Sequence, residues 1–313
     1  MRIAQTTAAC RHLYTGRDGS LDIAARYAAL GYTAVDFSFM DAAKRDSVCS
    51  LRQENWQNWA ERAKEKLDIK HIFAVQSHAP IFNPLSMEGA GDEEKTEMTK
   101  RSLAASGIMG IPWVVIHPGT DYLDNRFSRN LEKNKEFFKP LLEFAEKYQT
   151  GIAIENMFDT YHHPYGVKGS GETENRRVDH HLISQRRFGT NPEELLELVE
   201  KLSVDFPNVG ICWDFGHANE AGINQAECLK NLGKRIKAIH VNDNMAVFDE
   251  HMIPFSGSVP WEEVMICLQQ IGYEGDFVYE NTKFFNRLPE SLINAALRYS
   301  LEVARYLIGL CEP

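Results

Sequence analysis

The chain of 313 residues carries 34 basic and 44 acidic side chains, a formal charge of 34 − 44 = −10. That excess of carboxylate argues against a nucleic-acid partner, because phosphate recognition needs clustered Lys and Arg to displace counterions. With 43% hydrophobic and 25% charged residues the composition is globular rather than disordered or fibrous, and no window reaches the roughly 18–20 uninterrupted apolar residues of a membrane helix, so no membrane partner is expected.

The start, MRIAQTTAAC, has one basic residue and no apolar run, so it does not read as a secretory signal and cytoplasmic residence is the expectation. Six cysteines at 10, 49, 212, 228, 267 and 311 are scattered without a CxxC pair, which fits neither a disulfide framework nor a cysteine zinc site.

Short β-branched runs then alternate with stretches of helical period. The strand candidates are Ile3 to Gln5, Ala34 to Phe37, Ile72 to Gln76, Trp113 to His117, Gly151 to Glu155, Val209 to Asp214, Ile236 to Val241 and Phe277 to Glu280. Helical segments are expected near Leu21 to Leu30, Trp56 to Lys66, Glu93 to Ser106, Leu131 to Tyr148, Pro192 to Leu202, Gln225 to Leu232, Trp261 to Ile271 and Pro289 to Ile308. Asn191-Pro192-Glu193-Glu194 reads as a capped helix start, and Gly31, Gly107, Gly233 and Gly272 as helix stops. Eight strand–helix pairs without a Pro/Ser-rich linker predict one α/β domain over residues 1–313, a single (β/α)8 TIM barrel. One connection breaks the rhythm. Residues 156–190 are far longer than an ordinary loop of about two to six residues. They hold His162, His163, His180 and His181 with the pairs Arg176-Arg177 and Arg186-Arg187, a candidate lid over an anionic or polyhydroxylated ligand.

In such a barrel the C-terminal strand ends form the active face. Here they read Gln76-Ser77-His78, then VVIHPG into His117, IAIEN into Glu155, ICWDFGH into Asp214 and His217, AIHVNDN into His240, and FVYEN into Glu280. Carboxylates converging on one mouth repel one another and are costly to desolvate unless a cation compensates them. Glu155, Asp214, His240 and Glu280 form an oxygen-rich set suited to one divalent ion, Mn²⁺, Zn²⁺, Co²⁺ or Mg²⁺.

The ordered series CWDFGHA, IKAIHVND and DEHMIPFSGSVPWEEVMICLQQIGYEGDFVYEN, with SHAPIFNPLS and VVIHPG before it, resembles the sugar phosphate isomerase/epimerase group of xylose isomerase-like TIM barrels. Its relatives include ketohexose 3-epimerases and metal-dependent apurinic-site endonucleases. The resemblance implies a metal on Glu155, Asp214, His240 and Glu280, with Glu155 and Glu280 also moving protons on opposite faces of the substrate. It implies substrate contacts from His217, with His78, His117, Asp249 and His251 as further substrate contacts or orienting donors; Lys283, which follows Glu280 on the active-site side, is a candidate substrate anchor by position. The implied reaction is proton abstraction next to a carbonyl, giving isomerisation or epimerisation of a small carbohydrate or polyol. A lyase or dehydratase on an oxidised sugar would use the same residues. Homo-oligomers are usual in that group. Where ketohexose epimerases carry an arginine shortly after the strand-seven histidine, this chain has Val241-Asn242-Asp243-Asn244-Met245-Ala246. The endonucleases bind three zinc ions through nine ligands, and His78, His117, Glu155, Asp214, His217, His240, Asp249, His251 and Glu280 correspond to them. The charge of −10 and the lack of a basic stripe weigh against that reading.

Overall fold

A computed structural model describes residues 1–16, 18–86, 92–162 and 183–311. Its strands are β1 (Ile3–Thr6), β2 (Ala34–Ser38), β3 (Phe73–His78), β4 (Trp113–Ile116), β5 (Gly151–Glu155), β6 (Thr160–His162), β7 (Ile183–Gln185), β8 (Val209–Asp214), β9 (Ile236–His240) and β10 (Phe277–Tyr279). Eight of them form one parallel sheet in the order β10-β1-β2-β3-β4-β5-β8-β9. Across the remaining seam the amide of Val241 donates to Val278 O at 2.7 Å and that of Glu280 donates to Val241 O at 3.0 Å, which nearly closes the barrel. The predicted TIM barrel is therefore correct. No helix among the described residues is long and apolar enough to cross a membrane.

Alternation along each strand sorts the side chains. Ala4, Ala34, Val75, Val115, Ala153, Cys212, Ala238 and Val278, one from each barrel strand, make two small buried clusters separate from the outer core. Such short side chains are what the narrow lumen admits. The intervening residues face outward: Ile154, Trp213 and Ile239 pack with Phe138, Leu141 and Leu198 of the surrounding helices. Each of these fully buried large side chains contributes about 1.5–3 kcal/mol by leaving water. Two residues beyond the small lumen layer, the same inward face reaches the strand ends.

Several expected boundaries shift. β3 runs on to His78, and a register irregularity at Val35/Asp36 of the neighbouring β2 accompanies the longer strand. The helix expected from Leu131 starts earlier, as Phe127–Lys147. Gly107 does not stop its helix, which runs Glu93–Met109 and ends at Gly110 with φ +76°. Gly107 serves close packing instead, because a Cβ there would stand 2.3 Å from Tyr148 O. The predicted cap at Asn191 is present, its side chain accepting from the Glu193 amide. The ends of the long connection pair as an antiparallel ribbon of β6 and β7. His163, His180, His181, Arg176 and Arg177, and with them most of the expected lid, lie outside the described residues.

Candidate functional site

Five strand ends place a titratable group two residues after the small lumen residue: His117 after Val115, Glu155 after Ala153, Asp214 after Cys212, His240 after Ala238 and Glu280 after Val278. Period two therefore turns all five onto the inner face. β8 and β9 pair Cys212 with Ala238 and Asp214 with His240, so register fixes their relative height.

Glu155 is the hub. Its Oε1 lies 2.8 Å from His240 Nδ1, and its Oε2 lies 2.9 Å from His117 Nε2 and 3.3 Å from His78 Nε2. His240 Nδ1 also faces Glu280 at 3.3 Å and Asp214 at 3.8 Å. Donor atoms of Glu155, Asp214, His240 and Glu280 all fall within 4.8 Å of one another, and all four residues are buried. Burial pushes the carboxyls of Asp214 and Glu280 up, with the Glu155 charge adding to it. Burial would raise Glu155 as well, but His240 and His117 outweigh it and hold Glu155 well below the ordinary range. Three carboxylates and one imidazole at this spacing fit a divalent ion by donor type.

Neighbouring groups orient these side chains. His78 Nδ1 donates to Ala79 O and His217 Nδ1 donates to Asn156 O, both at 2.8 Å, which leaves each Nε2 free to face the centre. Asn242 Nδ2 donates to Asp214 Oδ2 at 2.7 Å, and Asn156 Oδ1 accepts from the Asp214 amide at 2.6 Å. Gly216 permits the approach of Asn242, whose Oδ1 would lie 1.8 Å from a Cβ at that position.

A second group stands higher at the mouth. His217, Asp249 and His251 present donor atoms within 4.8 Å of one another, and so do His78, His117 and Glu155. His251 Nε2 lies 2.6 Å from Asp249 Oδ2 and its Nδ1 donates to Glu280 O at 2.6 Å. Burial opposes a charge on His251, yet Asp249 and then Glu280 lift it to about 10. Burial pulls His117 down to about 4 against the pull of Glu155. Lys283 donates to Asp249 O and lies 3.7 Å from its Oδ2, so it braces the Asp249 loop while remaining half exposed.

The candidate site residues His78, His117, Glu155, Asp214, His217, His240, Asp249, His251, Glu280 and Lys283 thus gather at one end of the barrel. Sequence reasoning missed Asn156 and Asn242, although each sits within two residues of a named strand-end group. It also missed Phe158, whose ring centroid lies 4.6 Å from that of His217; nothing in a lone loop phenylalanine signals this.

A family model described as xylose isomerase-like TIM barrel matches residues 24–300. An uncharacterised protein of Methanocaldococcus jannaschii is 32% identical over 263 residues, spanning 78% of this chain and 80% of its own length. A solved structure of a D-tagatose 3-epimerase-like protein superposes with a TM-score of 0.72 at 22% identity, covering 99% of this chain and 98% of that one. The IolI protein with a bound zinc atom superposes at 0.71 with 18% identity over 98% of each chain. At those identities the two structures share the fold with this chain. The match over residues 24–300 says more: the chain belongs to the xylose isomerase-like TIM barrel family.

Proposed function

We propose that this protein is a divalent-metal-dependent isomerase or epimerase of a sugar or sugar derivative, built as one domain. The observation that carries the reading is the buried convergence of Glu155, Asp214, His240 and Glu280 at the strand ends. Those four would hold one Mn²⁺, Zn²⁺, Co²⁺ or Mg²⁺ ion. When bound, such an ion polarises a ketone and its neighbouring hydroxyl, and so acidifies the C–H between them. Glu155 takes the proton, and the imidazoles of His240 and His117 beside it keep it ionised for that task. Glu280, from a strand three places round the barrel, returns a proton. Return to the same carbon from the other side gives epimerisation, and return to the adjacent carbon gives isomerisation. His78, His117 and His217 orient the substrate oxygens, while Asp249, His251 and Lys283 line the entrance. The similar D-tagatose 3-epimerase-like structure and the zinc in IolI support a sugar substrate and a metal. A lyase or dehydratase on an oxidised sugar would use the same first proton transfer.

Metal content per chain, measured by elemental mass spectrometry on protein purified without chelator or nickel, tests the reading together with deuterium uptake by ketoses in deuterated water. One ion per chain with uptake abolished by Glu155→Gln is the expected result. A second reading is favoured by a specific observation, the three donor clusters that the nine residues form, two of which share Glu155. About three zinc ions per chain, with cleavage of abasic DNA and no uptake by ketoses, would replace the sugar enzyme with a phosphodiesterase.

A further inference from the structure

Arg187 follows the β6–β7 ribbon, and in the sequence it stands out only as half of a basic pair in the candidate lid. Its backbone is tied on both sides. The Phe188 amide donates to Thr120 Oγ1 at 2.8 Å, the Met157 amide donates to Gly189 O at 3.0 Å, and Asn125 Nδ2 donates to Arg186 O at 3.1 Å. Phe188 is buried and stacked on Phe127. The side chain therefore projects from a fixed point. Its guanidinium carbon stands 5.0 Å from the centroid of Phe158, the ring that packs on His217. Burial lowers its pKa, while Tyr122, Glu155, Asp249 and Glu220 support its charge.

Several other cations at this end of the barrel are paired with carboxylates. Arg11 and Lys44 pair with Asp41, Lys283 with Asp249, and the adjacent Arg186 with Glu194 at 2.6 Å. For Arg187, among the described residues, no carboxylate pairs with the guanidinium and no acceptor takes its N–H groups. The Phe158 ring supports the guanidinium at 5.0 Å, and the guanidinium's N–H edge meets no acceptor among the described residues. That edge is a rigid fork of donors matching the two oxygens of a carboxylate or the oxygens of a phosphate. A mouth lined by Glu155, Asp214, Asp249 and Glu280 would otherwise repel an anion, so an unpaired cation here changes which substrates can enter.

We propose that Arg187 is a specificity residue that binds an oxyanion of the substrate, so that the protein acts on keto sugars carrying a carboxylate or a phosphate in preference to neutral ones. This inference rests on the isomerase/epimerase reading.

The test compares D-fructose, D-fructose 6-phosphate and D-fructuronate as probes, using metal-loaded wild type, R187K, R187M and the control R186M. Deuterium uptake gives kcat/KM, and calorimetry gives Kd. Wild type is expected to prefer one charged probe over fructose by about 100-fold, the kind of discrimination a buried charged contact provides. R187M should collapse that ratio mainly through KM, R187K should retain part of it, and R186M should keep it. The better charged probe distinguishes phosphate from carboxylate. Equal use of charged and neutral probes by wild type, or an unchanged ratio in R187M, overturns the proposal. Absence of uptake from all three probes counts against the enolising reading instead, and calorimetry then decides on Arg187. Tighter binding of an anionic probe to wild type than to R187M upholds the assignment; equal binding, or none, overturns it.

Discussion

The floor of the site and its rim are built in different ways. Glu155, Asp214, His240 and Glu280 sit at or immediately beyond strand ends, each at 3% exposure or less, and ladder register sets their spacing. Asp249 and His251 sit on the connection after β9, with side chains 15% and 12% exposed, and His251 adopts φ +45°. A position fixed by the barrel ladder cannot move without moving a strand, whereas a loop position held by a short ion pair can follow a ligand. The floor is thus suited to hold an ion in one geometry, and the rim to meet substrates of differing shape.

Breaking the floor should produce the largest effects. Glu155→Gln keeps the size of the side chain and removes its basicity, so substrate-carbon exchange followed by NMR should fall by about 10²–10⁴-fold. His240→Ala should strip the metal, read as ions per chain. Full occupancy after that change would remove His240 from the proposed ligand set.

Stability offers a second comparison within the same segment. Asp243, fully buried one turn of chain past His240, accepts from the amides of Asn244, Gly257 and Val259 and from Trp261 Nε1 at 2.9–3.2 Å. Asp243→Ala leaves those donors unpaired and should cost about 2–4 kcal/mol in urea unfolding. It would also loosen the 245–257 connection that carries the rim. A loss under about 0.5 kcal/mol would mean that the loop is held by Trp261 packing alone.

At the rim the expected change is smaller. Asp249→Asn and His251→Ala should lower turnover by about 10–100-fold while metal content per chain stays unchanged, as for groups that orient rather than hold the ion. A fall in ions per chain in either variant would instead mean that the rim carries an ion of its own.

The floor was legible in the sequence because it obeys a periodicity. A small residue in the lumen, one outward residue and then a titratable group is a pattern that survives without coordinates, as in Ala153-Ile154-Glu155 and Ala238-Ile239-His240. The rim was legible only through the resemblance that pointed to Asp249 and His251, since no period relates a loop residue to a barrel axis. Arg187 was visible only as half of a basic pair, with nothing to separate it from Arg186. The structure separates them by direction, Arg186 toward Glu194 and Arg187 toward Phe158. Gly107 misled for a related reason: its lack of a side chain answers a contact with Tyr148, 41 residues on, rather than a local turn.

The smallest effect concerns what anchors the segment that carries Arg187. Asp121 lies in the connection after β4, beside the Thr120 hydroxyl that holds Phe188. Its carboxylate pairs with Lys133 and accepts from the amides of Leu123 at 3.0 Å and Asp124 at 3.3 Å. The hydrogen bond from Lys133 holds its pKa below the ordinary value. For a carboxyl depressed in the folded state, the stabilisation is complete above the unfolded value of about 3.9 and is lost as pH falls through the folded one. Wild type should therefore exceed Asp121→Asn by no more than about 1 kcal/mol in urea unfolding at pH 7. That difference should shrink below pH 4, where protonation makes the two chains alike. A difference that persisted unchanged at low pH would show that Asp121 acts through the shape of its hydrogen bonds, which Asn can only partly copy, and not through its charge.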